Sequence, residues 1–105
     1  MANKRFKKRR VQMKKANRDM RMINVKLLGG ARKAIGKDRL EIEKKDAKLH
    51  DIVEILRSMS SNSNIFDSSN LLIAVNGVES SMLGGLDAMV NDGDVISIVP
   101  VVHGG

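Results

Sequence analysis

Gly104 and Gly105 end the sequence, and the chemistry they offer differs from that of any side chain in it. Glycine has no Cβ, so a Gly-Gly end can enter a narrow channel and take backbone angles closed to other residues. The reactive group delivered there is the α-carboxylate of Gly105. A carboxylate resists nucleophiles until one of its oxygens becomes a leaving group, for example by adenylation with ATP. The acyl adenylate can then be taken by a sulfur donor, giving a thiocarboxylate, or by a thiol or an amine. A terminal Gly-Gly alone is a weak signal, because last residues usually fray without function.

The other arrangements that could carry chemistry fail one by one. Residues 30–38, GARKAIGKD, have the look of a phosphate loop. Five residues rather than four separate the glycines, and Asp38 stands where Ser or Thr must reach magnesium. His50 beside Asp51 makes neither a ligand triad nor a Ser-His-Asp unit. Two histidines without a cysteine make no zinc site, so no metal is expected. Glu41, Glu43, Asp46 and Asp51 read as a solvated face. The expectation is a chain that is not itself an enzyme and holds no cofactor.

The elements that must position the Gly-Gly end follow from composition and pattern. At 105 residues the chain suits one small domain plus an appended segment. The formal net charge of +7 is unevenly spread. Residues 1–21 carry ten basic residues and one acidic, a net +9, whereas residues 22–105 carry nine basic and eleven acidic, a net −2. The expected organisation is therefore a basic, flexible arm over 1–21 and a folded body over 22–105. Two functions fit the arm: plain solvation, or electrostatic binding of nucleic acid through Lys4, Arg5, Lys7, Lys8, Arg9, Arg10, Lys14 and Lys15. Phe6 is the arm's one aromatic residue, so such binding would be salt-sensitive and indifferent to sequence. The absence of cysteine excludes disulfides and thiolate sites and fits a reducing, cytoplasmic compartment. No apolar run reaches membrane-spanning length, and no apolar stretch follows the basic N-terminus as in a signal peptide.

In the body, Ile23, Val25 and Leu27 alternate as one face of a first strand, and residues 39–43 alternate as a second after a long Gly-containing loop. Leu49, Ile52, Val53, Leu56 and Met59 form one stripe of a helix over 46–59, with Asp46 as its expected N-cap. A Ser/Asn-rich loop over 58–70 leads to a strand at 71–75, ended by the turn pair Asn76-Gly77. Residues 83–90 read as a connection with at most one helical turn, and 91–94 as a turn. The apolar run 95–99 is a last strand stopped by Pro100, and its continuity predicts a central place in the sheet. This is the α+β order of a β-grasp domain, one helix on one face of a small mixed sheet.

The run LLIAVNG at 71–77, the run NDGDVISIVP at 91–100 and the Gly-Gly end together resemble the ubiquitin-like sulfur carriers and modifiers. That group includes the small archaeal modifier proteins, the eukaryotic ubiquitin-related modifier, the thiamine-pathway carrier and the small subunit of molybdopterin synthase. The LGGLD run at 83–87 and the ending His103-Gly104-Gly105 look more like the ubiquitin-related modifier, and Val-Pro-Val-Val at 99–102 more like the molybdopterin subunit. The resemblance spans 22–105 and leaves the arm unexplained. It implies a β-grasp (ubiquitin-like) fold and a tail, Val101, Val102, His103, Gly104 and Gly105, presented to an ATP-using adenylating enzyme of the ubiquitin-activating type. It further implies either a Gly105 thiocarboxylate for tRNA thiolation or molybdopterin synthesis, or an isopeptide bond to a target lysine. The alternatives are a fixed small subunit of molybdopterin synthase and a nucleic-acid module, with tRNA on the arm, in which the glycines are incidental.

Strand alternation adds an expected docking face. If Ile23, Val25, Leu27, Leu40, Ile42, Ile73, Val75, Ile96 and Ile98 face the helix, then Leu28, Leu72, Ala74, Val95, Ser97 and Val99 face away. With one substantial helix, a monomer has no second layer for that side. Leu28, Leu72, Ala74, Val95 and Val99 are accordingly the expected partner-binding residues, unless residues 78–90 or the arm cover them.

Overall fold

A computed structural model describes residues 21–101. Strand β1 (Met22–Leu27) runs into a six-residue helix α1 (Gly30–Ile35), then β2 (Arg39–Glu43), β3 (Asp46–Lys48) and the main helix α2 (Leu49–Met59). Two short 3₁₀ turns, Ser63–Phe66 and Ser68–Asn70, lead to β4 (Leu71–Val75) and β5 (Val78–Glu79). Two more, Ser80–Leu83 and Gly85–Asp87, precede β6 (Met89–Asn91) and β7 (Val95–Pro100).

The main sheet has the order β2-β1-β7-β4-β5. Its one parallel pair is β1 with β7, from Asn24↔Val95 to Leu27↔Ile98, and all other neighbours are antiparallel. The uninterrupted apolar run of the last strand thus occupies the centre of the sheet, as its composition predicts. Asn76 and Gly77, with φ of 51° and 85°, make the tight β4–β5 turn in which both central residues are left-handed. The Asn76 side chain ties that turn to β7, its amide donating to Asp94 and its carbonyl accepting from the Val95 N–H, both at 2.9 Å.

One face of this sheet packs on α2. Ile23, Val25, Leu27, Ile42, Ile73, Val75, Ile96 and Ile98 are buried there with Leu49, Ile52, Val53 and Leu56 of the helix; Leu40 packs at the margin. Phe66 is completely buried, and its carbonyl accepts a 2.7 Å hydrogen bond from the Arg57 guanidinium. The Ser/Asn-rich segment is therefore pinned by one aromatic anchor. Phe66→Ala should cost about 3–5 kcal/mol, the usual range for deleting a fully buried aromatic. A denaturant midpoint that stayed at the parent value would show that the anchor is dispensable.

Four local expectations need correction. The 29–38 loop contains α1, whose buried Ala31 adds to the core and whose C-terminus stops at left-handed Gly36. Asp46 does not cap the helix. Residues 46–48 instead pair as β3 with β6, from Asp46↔Asn91 to Lys48↔Met89, and α2 begins at Leu49 after an extended Lys48. A three-residue strand with a single inward side chain, Ala47, has no period long enough to read in sequence. The 58–70 loop holds two 3₁₀ turns, and the 83–90 connection, which holds the Gly85–Asp87 turn, runs into β6. No helix among the described residues is long and apolar enough to cross a membrane.

Candidate functional site: the tail exit and the open sheet face

Strand β7 is the element that delivers the C-terminal tail. Its last link to β1 is the Leu28 N–H donating to the Ile98 carbonyl at 3.0 Å, after which β1 turns away into α1. Alternation points the nitrogen of Pro100 towards that vacated side, so its missing N–H leaves no carbonyl unpaired. The next N–H, that of Val101, turns the other way and donates to the Asn70 carbonyl at 2.6 Å. The Ser68–Asn70 turn that presents this carbonyl is itself capped, because the Asp67 carboxylate accepts from the Ser69 N–H and hydroxyl. Those bonds to Ser69 hold the Asp67 carboxyl below its usual range. In the same way the Ser81 hydroxyl and N–H hold Glu79 below its usual range at the far edge.

Val101 is the last described residue and is exposed. Val102, His103, Gly104 and Gly105 lie outside the described residues, as do the arm residues Lys4, Arg5, Lys7, Lys8, Arg9, Arg10, Lys14 and Lys15.

The sheet face turned away from α2 leads to this exit. Leu72 pairs with Val99 and Ala74 with Ser97 across β4 and β7, and Val95 pairs with Asn24 across β7 and β1. Leu72 is 48% exposed and Leu28, just past β1, is 43% exposed, while Ala74, Val95, Ser97 and Val99 are half-buried. The Gly85–Asp87 turn packs against α2, and Leu86 packs on the core, so this part of residues 78–90 sits on the helix side. Towards β2 the face becomes polar. Asn24, Lys26, Arg39, Glu41 and Val95 line a broad depression of about 730 Å³ there. The structure thus gathers Leu28, Leu72, Ala74, Val95 and Val99 on or beside one surface that ends at the tail.

His50 is exposed on α2 and lies 3.5 Å from Asp51, and among the described residues it has no further partner from which a catalytic unit could be built. Among the described residues no cluster of His, Asp or Glu is arranged to hold a metal ion. Two features of the exit escape a sequence reading. The Asn70 carbonyl is a backbone group with no signal in residue type. The recess of about 290 Å³ lined by Lys26, Leu28, Arg32, Asp38 and Arg39 had a signal, five cations against one acid over 26–39, but the run reads as an ordinary polar turn.

This fold is shared by known proteins. The small archaeal modifier protein 1 of Methanosarcina acetivorans superposes with a TM-score of 0.66 at 26% identity, covering 82% of this chain and 98% of its own. A putative molybdopterin converting factor subunit 1 from Pyrococcus furiosus gives 0.62 at 27% identity, covering 77% and 98%. The Urm1 protein of Trypanosoma brucei gives 0.66 at 22% identity, covering 81% and 96%, and at that identity it speaks for the fold alone. No curated protein sequence matches. The family model described as the ThiS family matches residues 25–105, from the second inward-facing residue of β1 to the final glycine. With nearly all of the β-grasp sheet, the central last strand and the Gly-Gly end inside that match, the chain belongs to the ThiS family of ubiquitin-like sulfur carriers and modifiers.

Proposed function

We propose that this protein is a carrier whose Gly105 carboxylate is adenylated by a ubiquitin-activating-type enzyme and then loaded with sulfur or joined to a lysine. The carboxylate oxygen attacks the α-phosphorus of ATP and expels pyrophosphate. A sulfur nucleophile, or a lysine amine, then attacks the acyl carbon and expels AMP. The chain contributes a co-substrate carboxylate and a docking surface, and the partner contributes the catalytic groups.

The observation that carries this reading is the continuity of the open aliphatic face with the tail exit at Val101. A partner seated on Leu72, Ala74, Val95 and Val99 holds the domain while the tail reaches on. Four residues, 102–105, follow the last described anchor, and extended chain spans at most about 3.3–3.6 Å per residue. The final carboxylate can therefore lie at most roughly 13–14 Å beyond Val101. A protein of the same fold from Amycolatopsis orientalis, with a TM-score of 0.62 at 23% identity, was solved in a BexX/CysO complex, which supports a carrier that works in a partner's grip.

A second reading, a fixed small subunit of molybdopterin synthase, draws on the Pyrococcus furiosus neighbour. Pyrophosphate exchange separates the sulfur-carrying role from a nucleic-acid module. The adenylating enzyme from the same genome should exchange labelled pyrophosphate into ATP only when this chain is present. Exchange that proceeds equally without the chain contradicts the proposal.

A further inference from the structure

One end of the folded body carries an excess of cations without close acidic partners. Residues 26–39 carry Lys26, Arg32, Lys33, Lys37 and Arg39 against the single acid Asp38, and all five cations are exposed. Among the described residues the one Lys or Arg within 4 Å of a carboxylate is Arg57, beside Glu54, so these five cations have no such partner. Lys26 and Arg39 stand directly opposite each other across β1 and β2, an arrangement of like charges that destabilises a sheet. Glu41 is a diagonal neighbour of Lys26 in that register, and Asp38 lines the adjoining recess, yet neither lies within 4 Å of a cation. At the opposite end the charges are mixed: Glu43, Asp92 and Asp94 surround the start of β1, where the Gly93 N–H donates to the Met22 carbonyl at 2.8 Å, and Lys44 and Lys45 stand beside them. Because β1 and β7 are parallel, the cationic end is the end from which the tail leaves. A Cβ placed on Gly30 would come within 2.6 Å of Ile65 Cδ1 and 3.9 Å of Pro100 Cγ, so α1 is packed against the tail exit itself.

We infer that Lys26, Arg32, Lys37 and Arg39 form an electrostatic steering rim, which guides the tail into a partner protein whose cleft mouth carries Asp and Glu. The inference rests on the proposed carrier function and adds the chemistry of the partner's rim. A cationic collar around the inserting element raises the rate of productive encounter and orients it tail first. A protein partner fits better than a nucleic acid here. The rim adjoins the aliphatic Leu28, Leu72 and Val99, and Phe66, the one Phe, Tyr or Trp among the described residues, is buried and cannot stack on a base. The rim also explains why the fold keeps a like-charge cross-strand pair, since those charges are matched only in the complex.

The test compares the full chain with Arg32→Glu/Lys37→Glu, both off the main sheet, and with Lys44→Glu/Lys45→Glu, the same change of net charge at the other end. Association with the adenylating enzyme from the same genome is followed by stopped flow at low and high salt, and binding to bulk tRNA is measured in parallel. The rim variant should associate about tenfold more slowly at low salt, converge on the parent at high salt, and dissociate at the parent rate. The Lys44/Lys45 variant should associate like the parent. Equal association rates for parent and rim variant overturn the inference, as does a loss confined to tRNA binding. If the parent is adenylated normally in either case, the carrier function stands and the steering rim alone fails; a parent that is never adenylated removes both.

Discussion

A variant carrying one extra residue after Gly105 should lose pyrophosphate exchange almost completely. The extension converts the terminal carboxylate into a peptide carbonyl, which has no anionic oxygen to attack the α-phosphorus of ATP. The new carboxylate sits one residue further on, about 3.5 Å from the position the cleft is built to receive. Misplacement of a reacting atom by even 1 Å can cost about a hundredfold in rate, so a loss of at least that size is expected. The change lies beyond Val101, the last described residue, and thermal stability should stay at the parent value. Undiminished exchange by the extended chain would mean that Gly105 is not the activated group.

The second large effect is expected on the open face. Leu72→Asp and Val95→Asp each place a carboxylate where the proposal seats the activating enzyme. An anchor at the centre of an interface is worth about 2 kcal/mol or more, which is roughly thirtyfold in adenylation efficiency. The folded body should tolerate both changes, because Leu72 is 48% exposed and Val95 half-buried on the side away from α2. The expected cost in stability is about 1 kcal/mol, the range over which strand residues differ. Chemical denaturation and exchange kinetics on the same samples separate the two quantities. Variants that are activated like the parent, or that unfold, contradict the assignment of this face. Ile98→Asp, in the fully buried layer beneath, should by contrast unfold the domain.

What the sequence makes legible depends on how many residues share one physical constraint. The inward set from Ile23 to Ile98 was readable because four strands repeat the same two-residue alternation against one helix stripe. The central place of β7 was readable because its residues are apolar on both faces, which only a flanked strand requires. The β3–β6 pair was not readable. Three residues a side supply one inward side chain each, Ala47 and Val90, and Asp46 carries an equally good signal for a helix cap. There the pairing of 46–48 with 89–91 outweighed a local preference, moving the helix start to Leu49. The short helix α1 was hidden by two glycines at its N-terminal end and one at its C-terminal end, residue types that usually mark a turn.

The site was legible unevenly for the same reason. Leu72, Ala74, Val95 and Val99 could be placed on one surface from alternation alone, and the paired strands put them there. Where the tail leaves the sheet depended on Asn70 and Leu28, whose roles are played by a carbonyl and an N–H that any residue would supply. The cationic rim needed the parallel β1–β7 register, because only that register brings residues 26–39 to the same end as Val101.

The most direct test of the carrier function is the intact mass of the protein isolated from its native cells under conditions that preserve thioacids. A carrier should show a population in which one oxygen is replaced by one sulfur, localised by fragmentation to Gly105, or a Gly-Gly remnant branched on the lysine of another protein. A Gly105 carboxylate found unmodified in every growth condition, with no branched remnant on any lysine, would contradict the account.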